Sequence, residues 1–199
     1  MGRIKGREAI KAYVKKYGSS GVDFLSLKND GDIAKVRFLH EDDQDLELVL
    51  VHKVQIEEKE KWVECLEENC PFCEAYGRPQ LKLFMICIDR ADDKIKSWER
   101  GPSMVDFMLG FIDKYGHLNN RDYEIKRHGK KGDTKTSYQL FPDPDRDSDE
   151  EIAKLPERPP VYGRFVLQLT EEQMREHIEE NKPQGRERDR TKDKSALGF

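Results

Sequence analysis

Long apolar runs are missing from this sequence, and their absence excludes whole classes of protein. No stretch approaches the roughly 18 consecutive apolar residues that a membrane-spanning helix needs. The N-terminal segment is basic but lacks a continuous apolar stretch, so it does not have the pattern of a secretory signal. Hydrophobic residues make up 36% of the chain and charged residues 38%, which predicts a modest core with solvated loops or tails. We therefore expect a cytoplasmic protein with no membrane partner.

Catalytic motifs are scarce as well. The sequence has no phosphate-cradling glycine loop and no recognisable pairing of a nucleophile with a base. Three carboxylates, Asp89, Asp92 and Asp93, could bind Mg²⁺ as nuclease carboxylates do. A β-turn between two strands explains their positions better, so we predict that the protein is not an enzyme.

The net charge of −4 conceals an uneven distribution of charge. Between residues 1 and 20 the only acid is Glu8, among six lysines and arginines. Residues 126–135 are also strongly basic, with Asp133 as the single acid. Residues 143–151, DPDRDSDEE, form an acidic run in turn. The basic segments keep a nucleic-acid partner open despite the negative sum.

The chain divides into three predicted parts. Residues 1–21 form a basic N-terminal arm that includes an amphipathic helix at 7–17. Residues 22–142 form the core, in which about 50–78 make a small metal-binding subdomain. Residues 143–199 comprise the acidic linker, a short strand, a short helix that begins with a capping box at Thr170 and Gln173, and a disordered polar tail from 181.

The pattern of the core is mainly β. Two apolar runs around residues 29–32 predict a hairpin or tight turn, and further strands are expected at 46–56, 61–65, 81–88, 94–99, 123–128 and in the run TKTSYQLF. A helix from Ser103, capped by Asp106, should run to Tyr115 and end at Gly116. Many short strands, few helices and no alternation of strand with helix predict an OB-fold-like Greek-key barrel.

The most specific signal is a set of four metal-ligand residues. Cys70 and Cys73 form a Cys-x2-Cys knuckle, and His52 and Cys65 precede it on two neighbouring strands. If those strands turn between Glu58 and Lys59, His52 lies directly opposite Cys65 on one face, as two ligands of one metal should. Four such ligands predict structural Zn²⁺, because no coordination position remains for a catalytic water. Unrelated buried thiols or a redox-active pair are the alternatives. Cys87, inside an apolar strand, should be a core residue.

Cations and aromatic residues alternate on the predicted strands as a single-stranded nucleic-acid groove requires. Phosphates would be neutralised by the cations, and bases would stack on the rings. Each aromatic residue has core packing as its alternative, and each lysine has simple solvation. The candidate nucleic-acid-binding residues are Lys35, Arg37, Lys96, Trp98, Arg100, Tyr123, Lys126, Arg127, Lys130, Lys131, Lys135 and Tyr138.

These residues, in their order along the chain, resemble a known family. The stretch LKNDGDIAKVRFL at 27–39, the strand with His52, the return strand KWVEC and the knuckle CPFC are similar to the zinc-containing single-stranded DNA-binding proteins of tailed phages. The similarity runs from about Arg7 to Trp98, and more loosely to about Phe141. The gap between Cys65 and Cys70 is shorter than in the best-known member.

The resemblance implies an OB-fold that coats single-stranded DNA during phage DNA replication, recombination and repair, in the host-cell cytoplasm. It implies that His52, Cys65, Cys70 and Cys73 are the zinc ligands. It also implies that a basic N-terminal arm, here with Arg3, Lys5 and Arg7, mediates cooperative self-association along DNA. The acidic run at 143–151 is the nearest counterpart of the region that recruits replication and recombination proteins in that family. The mixed charge of the last residues leaves that role for the extreme terminus in doubt.

One other class of function stays open. A zinc-ribbon module could use the knuckle to contact a polymerase or another protein of a replication or transcription complex. This alternative does not explain the basic segment at 126–135.

Overall fold

The computed structural model describes residues 23–181, except residues 57 and 134. The predicted N-terminal helix at 7–17 and the candidate cooperativity residues Arg3, Lys5 and Arg7 therefore lie outside the described residues. So does the predicted polar tail beyond Asn181.

Short strands dominate the described part of the chain, and the helices are few. None of these helices is long and apolar enough to cross a lipid bilayer. The strands are β1 (Asp23–Phe24), β2 (Ile33–Phe38), β3 (Leu48–Ile56), β4 (Lys59–Glu64), β5 (Gln80–Asp89), β6 (Lys94–Arg100), β7 (Tyr123–His128), β8 (Ser137–Pro142) and β9 (Val166–Leu167). The α-helices are α1 (Pro71–Tyr76), α2 (Val105–Tyr115), α3 (Asp149–Ile152) and α4 (Glu171–Glu180).

Strand β5 is the centre of the molecule. Its uninterrupted apolar run is typical of a strand that is buried on both faces. Leu83, Met85 and Cys87 point into one core, which also holds Phe38, Trp98 and residues of helix α2. The alternate residues Phe84, Ile86 and Ile88 point into a second core on the opposite face. The prediction that Cys87 is a core residue is confirmed.

The strands form one open, mixed sheet. Its order is β8-β7-β2-β5-β3-β4-β9, and β6 pairs with β5 and β1. Most pairs are antiparallel, but β1 with β6 and β4 with β9 are parallel. The prediction of a mainly β fold with few short helices is confirmed. No hydrogen-bonded strand pair closes the described part of this sheet into a barrel.

Strands β2 and β3 share one edge of β5, and a buried histidine fills the break between them. β2 pairs with residues 87–89 of β5, and β3 pairs with residues 80–83. In the break, the N–H of Ile86 donates to Nε2 of His40 at 2.7 Å. Nδ1 of His40 lies 3.0 Å from the carbonyl oxygen of Asp45, so Nδ1 carries the proton and the ring is neutral. Burial, followed by the charge of Arg158, lowers the pKa of His40 to about 4.

Two local predictions are confirmed only in part. Residues 29–32 make a tight turn around Gly31, but the strands on its two sides do not pair: β1 joins β6 and β2 joins β5 and β7. Lys28 and Asn29 N–H groups donate to the Asp32 carboxylate, so the turn is fixed by a side chain rather than by a hairpin ladder. Helix α2 ends at Gly116 as predicted, but it begins with the 3-10 turn Pro102–Met104 and has no side-chain cap.

The chain after residue 142 packs onto the sheet. Val161, Phe165 and Val166 belong to the second core, and Arg158 pairs with Asp45 and Glu47. The predicted last strand is only two residues long and lies parallel to β4. Helix α4 begins at the predicted capping box of Thr170 and Gln173. This segment crosses the outer face of the sheet and ends over the metal-ligand cluster.

Candidate metal centre and nucleic-acid interface

The four predicted metal ligands converge in the structure. The donor atoms of His52, Cys65, Cys70 and Cys73 all lie within 4.8 Å of one another. Nε2 of His52 is 3.6 Å from Sγ of Cys70 and 3.5 Å from Sγ of Cys73, and the Sγ atoms of Cys65 and Cys73 are 3.5 Å apart. Zinc–sulfur bonds of about 2.3 Å and zinc–nitrogen bonds of about 2.0 Å in a tetrahedron imply ligand separations of about 3.5–3.8 Å. The side chains therefore fit one tetrahedral ion.

The hairpin brings His52 and Cys65 together in a register different from the predicted one. His52 faces Val63, and the N–H of Cys65 donates to the carbonyl of Leu50. The last pair of the ladder joins Ile56 to Lys59, and Glu58 is left-handed at φ 63°, so the centre of the turn lies one residue earlier than expected. His52 and Cys65 are thus diagonal neighbours on one face, a separation still within reach of long side chains.

The knuckle arises from a short helix that begins at Cys70. Pro71 occupies the first helical position, where a missing N–H costs nothing. Burial acts to raise the pKa of the Cys70 thiol, but N–H groups of the chain, including that of Leu66, outweigh it and lower the pKa. Burial, followed by the adjacent thiols of Cys65 and Cys70, raises the pKa of Cys73 to about 12. A bound cation would reverse that penalty, because it stabilises thiolates.

Helix α4 covers the cluster from the far end of the chain. Sδ of Met174 lies 4.0 Å from Sγ of Cys70. The Phe72 ring packs edge-on against His52 on one side and His177 on another, at centroid distances of 5.9 and 5.7 Å. Burial lowers the pKa of His52, which favours the neutral imidazole that a metal requires. Spacing could not reveal Met174 as a cover, because about a hundred residues separate it from the knuckle.

Three of the candidate nucleic-acid-binding cations have carboxylate partners. Arg37 is almost fully buried and pairs with Asp122 and Asp147 at 2.7 and 2.6 Å. Lys96 lies 2.7 Å from Asp89 and 3.0 Å from Asp92, which gives these acids a structural use. Lys35 is more exposed, and its amino group is 3.4 Å from Asp143 and 3.7 Å from Asp122.

Two candidate stacking rings are core residues. Trp98 and Tyr123 are fully buried, and both pack within the first core beside Phe38. Neither ring offers a face to a base in this structure, and we correct their assignment to core packing. Alternation along a strand identifies residues that share a face, but it does not reveal which face the helix α2 covers.

The β7–β8 hairpin presents the other cations on a fixed loop. Arg127 is buried and donates to the carbonyls of Gly129 and Lys130 and to the hydroxyls of Thr136 and Tyr138. Gly129 has φ 111°, and a Cβ atom there would come within 3.2 Å of the backbone of Thr136. Within the described residues no acidic side chain pairs with the remaining candidate lysines, Lys126, Lys130, Lys131 and Lys135.

Arg100 and Tyr138 meet at the open side of the first core. The guanidinium carbon of Arg100 lies 4.4 Å from the Trp98 ring centroid and 3.9 Å from that of Tyr138. The two rings are nearly perpendicular, with their centroids 5.4 Å apart. Tyr138 is partly exposed and so stays a candidate for stacking.

Several carboxylates of the acidic run at 143–151 make contacts within the chain. Asp143 and Asp147 contact Lys35 and Arg37, as described above. Glu151 forms the capping box of helix α3 with Ser148. These contacts reduce the charge that the run can offer to a partner.

Comparison with known proteins returned no matching family model, no matching curated protein and no matching solved structure.

Proposed function

We propose that this protein binds single-stranded DNA without sequence specificity, and that it coats and protects the strand during phage DNA replication, recombination and repair. The observation that carries the proposal is the β7–β8 hairpin. Its four lysines, Lys126, Lys130, Lys131 and Lys135, have no carboxylate partner among the described residues, although acids outnumber bases in the sequence. Unpaired cations beside a loop that Arg127 holds through Gly129, Lys130 and Thr136 suit a polyanion whose bound counterions are released on binding.

The arrangement of the strands supports an OB-type interpretation. Strands β8, β7, β2, β5 and β6 are consecutive neighbours that enclose the first core, and helix α2 packs against the same core. An OB-fold is a five-stranded, partly open barrel whose outer face and loops bind oligonucleotides. On this proposal the gap between β6 and β8 is the opening of the barrel.

The metal has a structural role in this proposal. His52, Cys65, Cys70 and Cys73 would hold Zn²⁺, and four protein ligands leave it no site for a reacting water. The ion would fix the β3–β4 hairpin to the knuckle and, through Phe72 and Met174, to helix α4. Metal analysis of the purified full chain should find one zinc per molecule.

The remaining parts of the proposal come from the resemblance to the phage proteins. Arg3, Lys5 and Arg7 would mediate self-association along DNA, and the acidic run would recruit replication or recombination proteins. The contacts of Asp143 and Asp147 with the sheet mean that such recruitment would rely on the other acids of the run, such as Asp145 and Glu150.

The test is an anisotropy titration of a labelled oligo-dT against a duplex of equal length at two salt concentrations. We expect tight, salt-sensitive binding to the single strand and much weaker binding to the duplex. Equal binding to both, or none, would overturn the coating function.

A second candidate function is a protein-interaction module centred on the knuckle. The observation that favours it is the exposure of two large apolar side chains, Leu66 and Tyr76, beside the ligand cysteines. If oligo-dT does not bind while the double variant Leu66→Ser/Tyr76→Ser loses association with a purified polymerase complex, this function replaces the first.

A further inference from the structure

Arg100 is a partly buried charged side chain that lacks a polar partner. Its guanidinium makes no hydrogen bond and no ion pair with any described residue. Its Nε is buried and has no acceptor. Burial lowers the pKa of Arg100 to about 10. Buried guanidinium groups are normally satisfied by several acceptors, so this one requires an explanation.

No carboxylate of a described residue contacts the Arg100 guanidinium, although the charge of Glu99 acts to raise the pKa of Arg100. The adjacent Glu99 faces the opposite side of the sheet, where its carboxylate accepts from Nε1 of Trp62 at 3.0 Å. Arg127 is the nearest other charge on this side, and its guanidinium carbon lies 5.8 Å from the Tyr138 ring centroid. Two cations thus share one aromatic ring, and the donors of Arg127 are engaged by the hairpin. This pair creates a positive potential that an anion would relieve.

Arg100 lies where no further strand pairs with β6 among the described residues. Arg100 ends strand β6 on the side of the first core, and Tyr138 begins β8 across the gap between them. In the described part of the chain, β8 pairs only with β7, and β1 covers β6 only up to Ser97. Arg100 therefore lies at the open seam of the sheet, next to the hairpin that carries Lys130 and Lys131.

We propose that Arg100 binds one backbone phosphate of the single strand, which crosses the seam between β6 and β8 over the Tyr138 ring. This inference rests on the proposed function and adds the path of the strand. The Trp98 and Tyr138 rings hold the guanidinium by cation–π contact, so its donors are already oriented when the strand arrives. A guanidinium can make two parallel hydrogen bonds to a phosphate, which an ammonium cannot.

The experiment compares Arg100→Gln with Arg78→Gln in the full chain. Arg78 is an exposed arginine after helix α1 that forms no ion pair with a described residue, so it matches the change in net charge. Titration with oligo-dT at several salt concentrations should show a roughly tenfold loss of affinity for Arg100→Gln. The slope of log K against log salt should fall by about 0.7, the share of one phosphate on a single strand. Arg100→Lys should recover the slope but only part of the affinity.

Thermal melting without DNA separates binding from folding. Arg100→Gln loses the cation–π contacts but also removes a partly buried charge that has no ion pair, so its melting temperature should fall only slightly, whereas loss of a structural residue would lower it far more. A wild-type protein that binds oligo-dT while Arg100→Gln matches Arg78→Gln in affinity and slope would overturn the phosphate site and leave the coating function intact.

A direct measurement keeps the phosphate site testable if the coating function fails. The Nε–H resonance of Arg100 in the wild type can be followed by NMR during titration with inorganic phosphate and, separately, with oligo-dT. Movement with phosphate alone supports an anion site even if oligo-dT does not bind. No movement with either probe overturns the site.

Discussion

The metal-ligand cluster and the β7–β8 hairpin differ in the charge that would complete each of them: the cluster suits a cation, and the hairpin suits an anion. The cluster gathers three thiols and an imidazole, and burial together with the neighbouring thiols makes the Cys73 thiolate unfavourable in the absence of a cation. The hairpin gathers lysines that have no anion within the described residues. The cluster is covered by helix α4, whereas the hairpin lysines are solvent-exposed or half-exposed.

The difference predicts which property each region controls. A buried ligand set that holds a metal would contribute to folding, because the metal would bind the folded chain far better than the unfolded one. Exposed lysines contribute little to folding, and under the proposed function they would act on DNA through long-range, salt-dependent attraction. Variants in the two regions should therefore separate stability from DNA binding.

The largest effect is expected from Cys73→Ser. Loss of one ligand should abolish tight metal binding and lower the free energy of unfolding by more than about 4 kcal/mol. Metal content and denaturant melting measure this, with Cys87→Ala as the control: Cys87 is buried in β5, so its removal should cost stability but leave the metal bound. Unchanged melting of Cys73→Ser, with no metal in the wild type, would contradict the metal centre.

Met174→Ala should come next, with a loss of about 3 kcal/mol, because it leaves a cavity over Cys70. Faster amide hydrogen exchange in residues 171–180 should accompany the loss if helix α4 is held by the cluster. Glu172→Ala, on the exposed side of the same helix, is the control and should change neither quantity. Equal exchange in both variants would mean that α4 docks independently of Met174.

A smaller effect on stability is expected from a change of pH, acting through the buried His40. This residue fills the break between β2, which pairs with the β7–β8 hairpin, and β3, which carries the ligand His52. The folded pKa of about 4 lies below the unfolded value near 6.5, so the neutral ring contributes stability above pH 6.5. That contribution is lost as the pH falls from 6.5 towards 4. The stability advantage of the wild type over His40→Asn should shrink by about 2 kcal/mol between pH 8 and pH 5. A difference that stays constant between pH 8 and pH 5 would disprove the neutral bridge.

The smallest effect on stability is expected from the double variant Lys130→Ala/Lys131→Ala. Its melting temperature should match the wild type, while the salt slope of oligo-dT binding should fall by about 1.4 for two lost phosphate contacts. Lys59→Ala/Lys154→Ala removes the same charge from other exposed positions and should leave the slope nearly unchanged. An unchanged salt slope for Lys130→Ala/Lys131→Ala would show that the DNA interface does not include the hairpin.

The same two regions differ in how far the sequence predicts them. The ligand set is recoverable from spacing, because a hairpin and a Cys-x2-Cys knuckle each constrain geometry locally. Its register is not, because a turn shifted by one residue moves His52 from Cys65 to Val63. The hairpin lysines are recoverable from charge, but the burial of Trp98 and Tyr123 depends on where helix α2 packs, which no local pattern encodes. The ion pairs of Arg37 join residues 85 or more positions apart, and are equally invisible to local patterns.

The cover over the cluster has a consequence for the order of events during synthesis. All four ligands emerge between residues 52 and 73, whereas Met174 and His177 follow about a hundred residues later. At a translation rate of about 5–20 residues per second, the ligands precede their cover by roughly 5–20 s. If the cluster binds an ion as proposed, the hairpin and knuckle can acquire it before β9 pairs with β4, a slow contact of high sequence separation, and encloses it. The chain end would then close over a site that is already loaded.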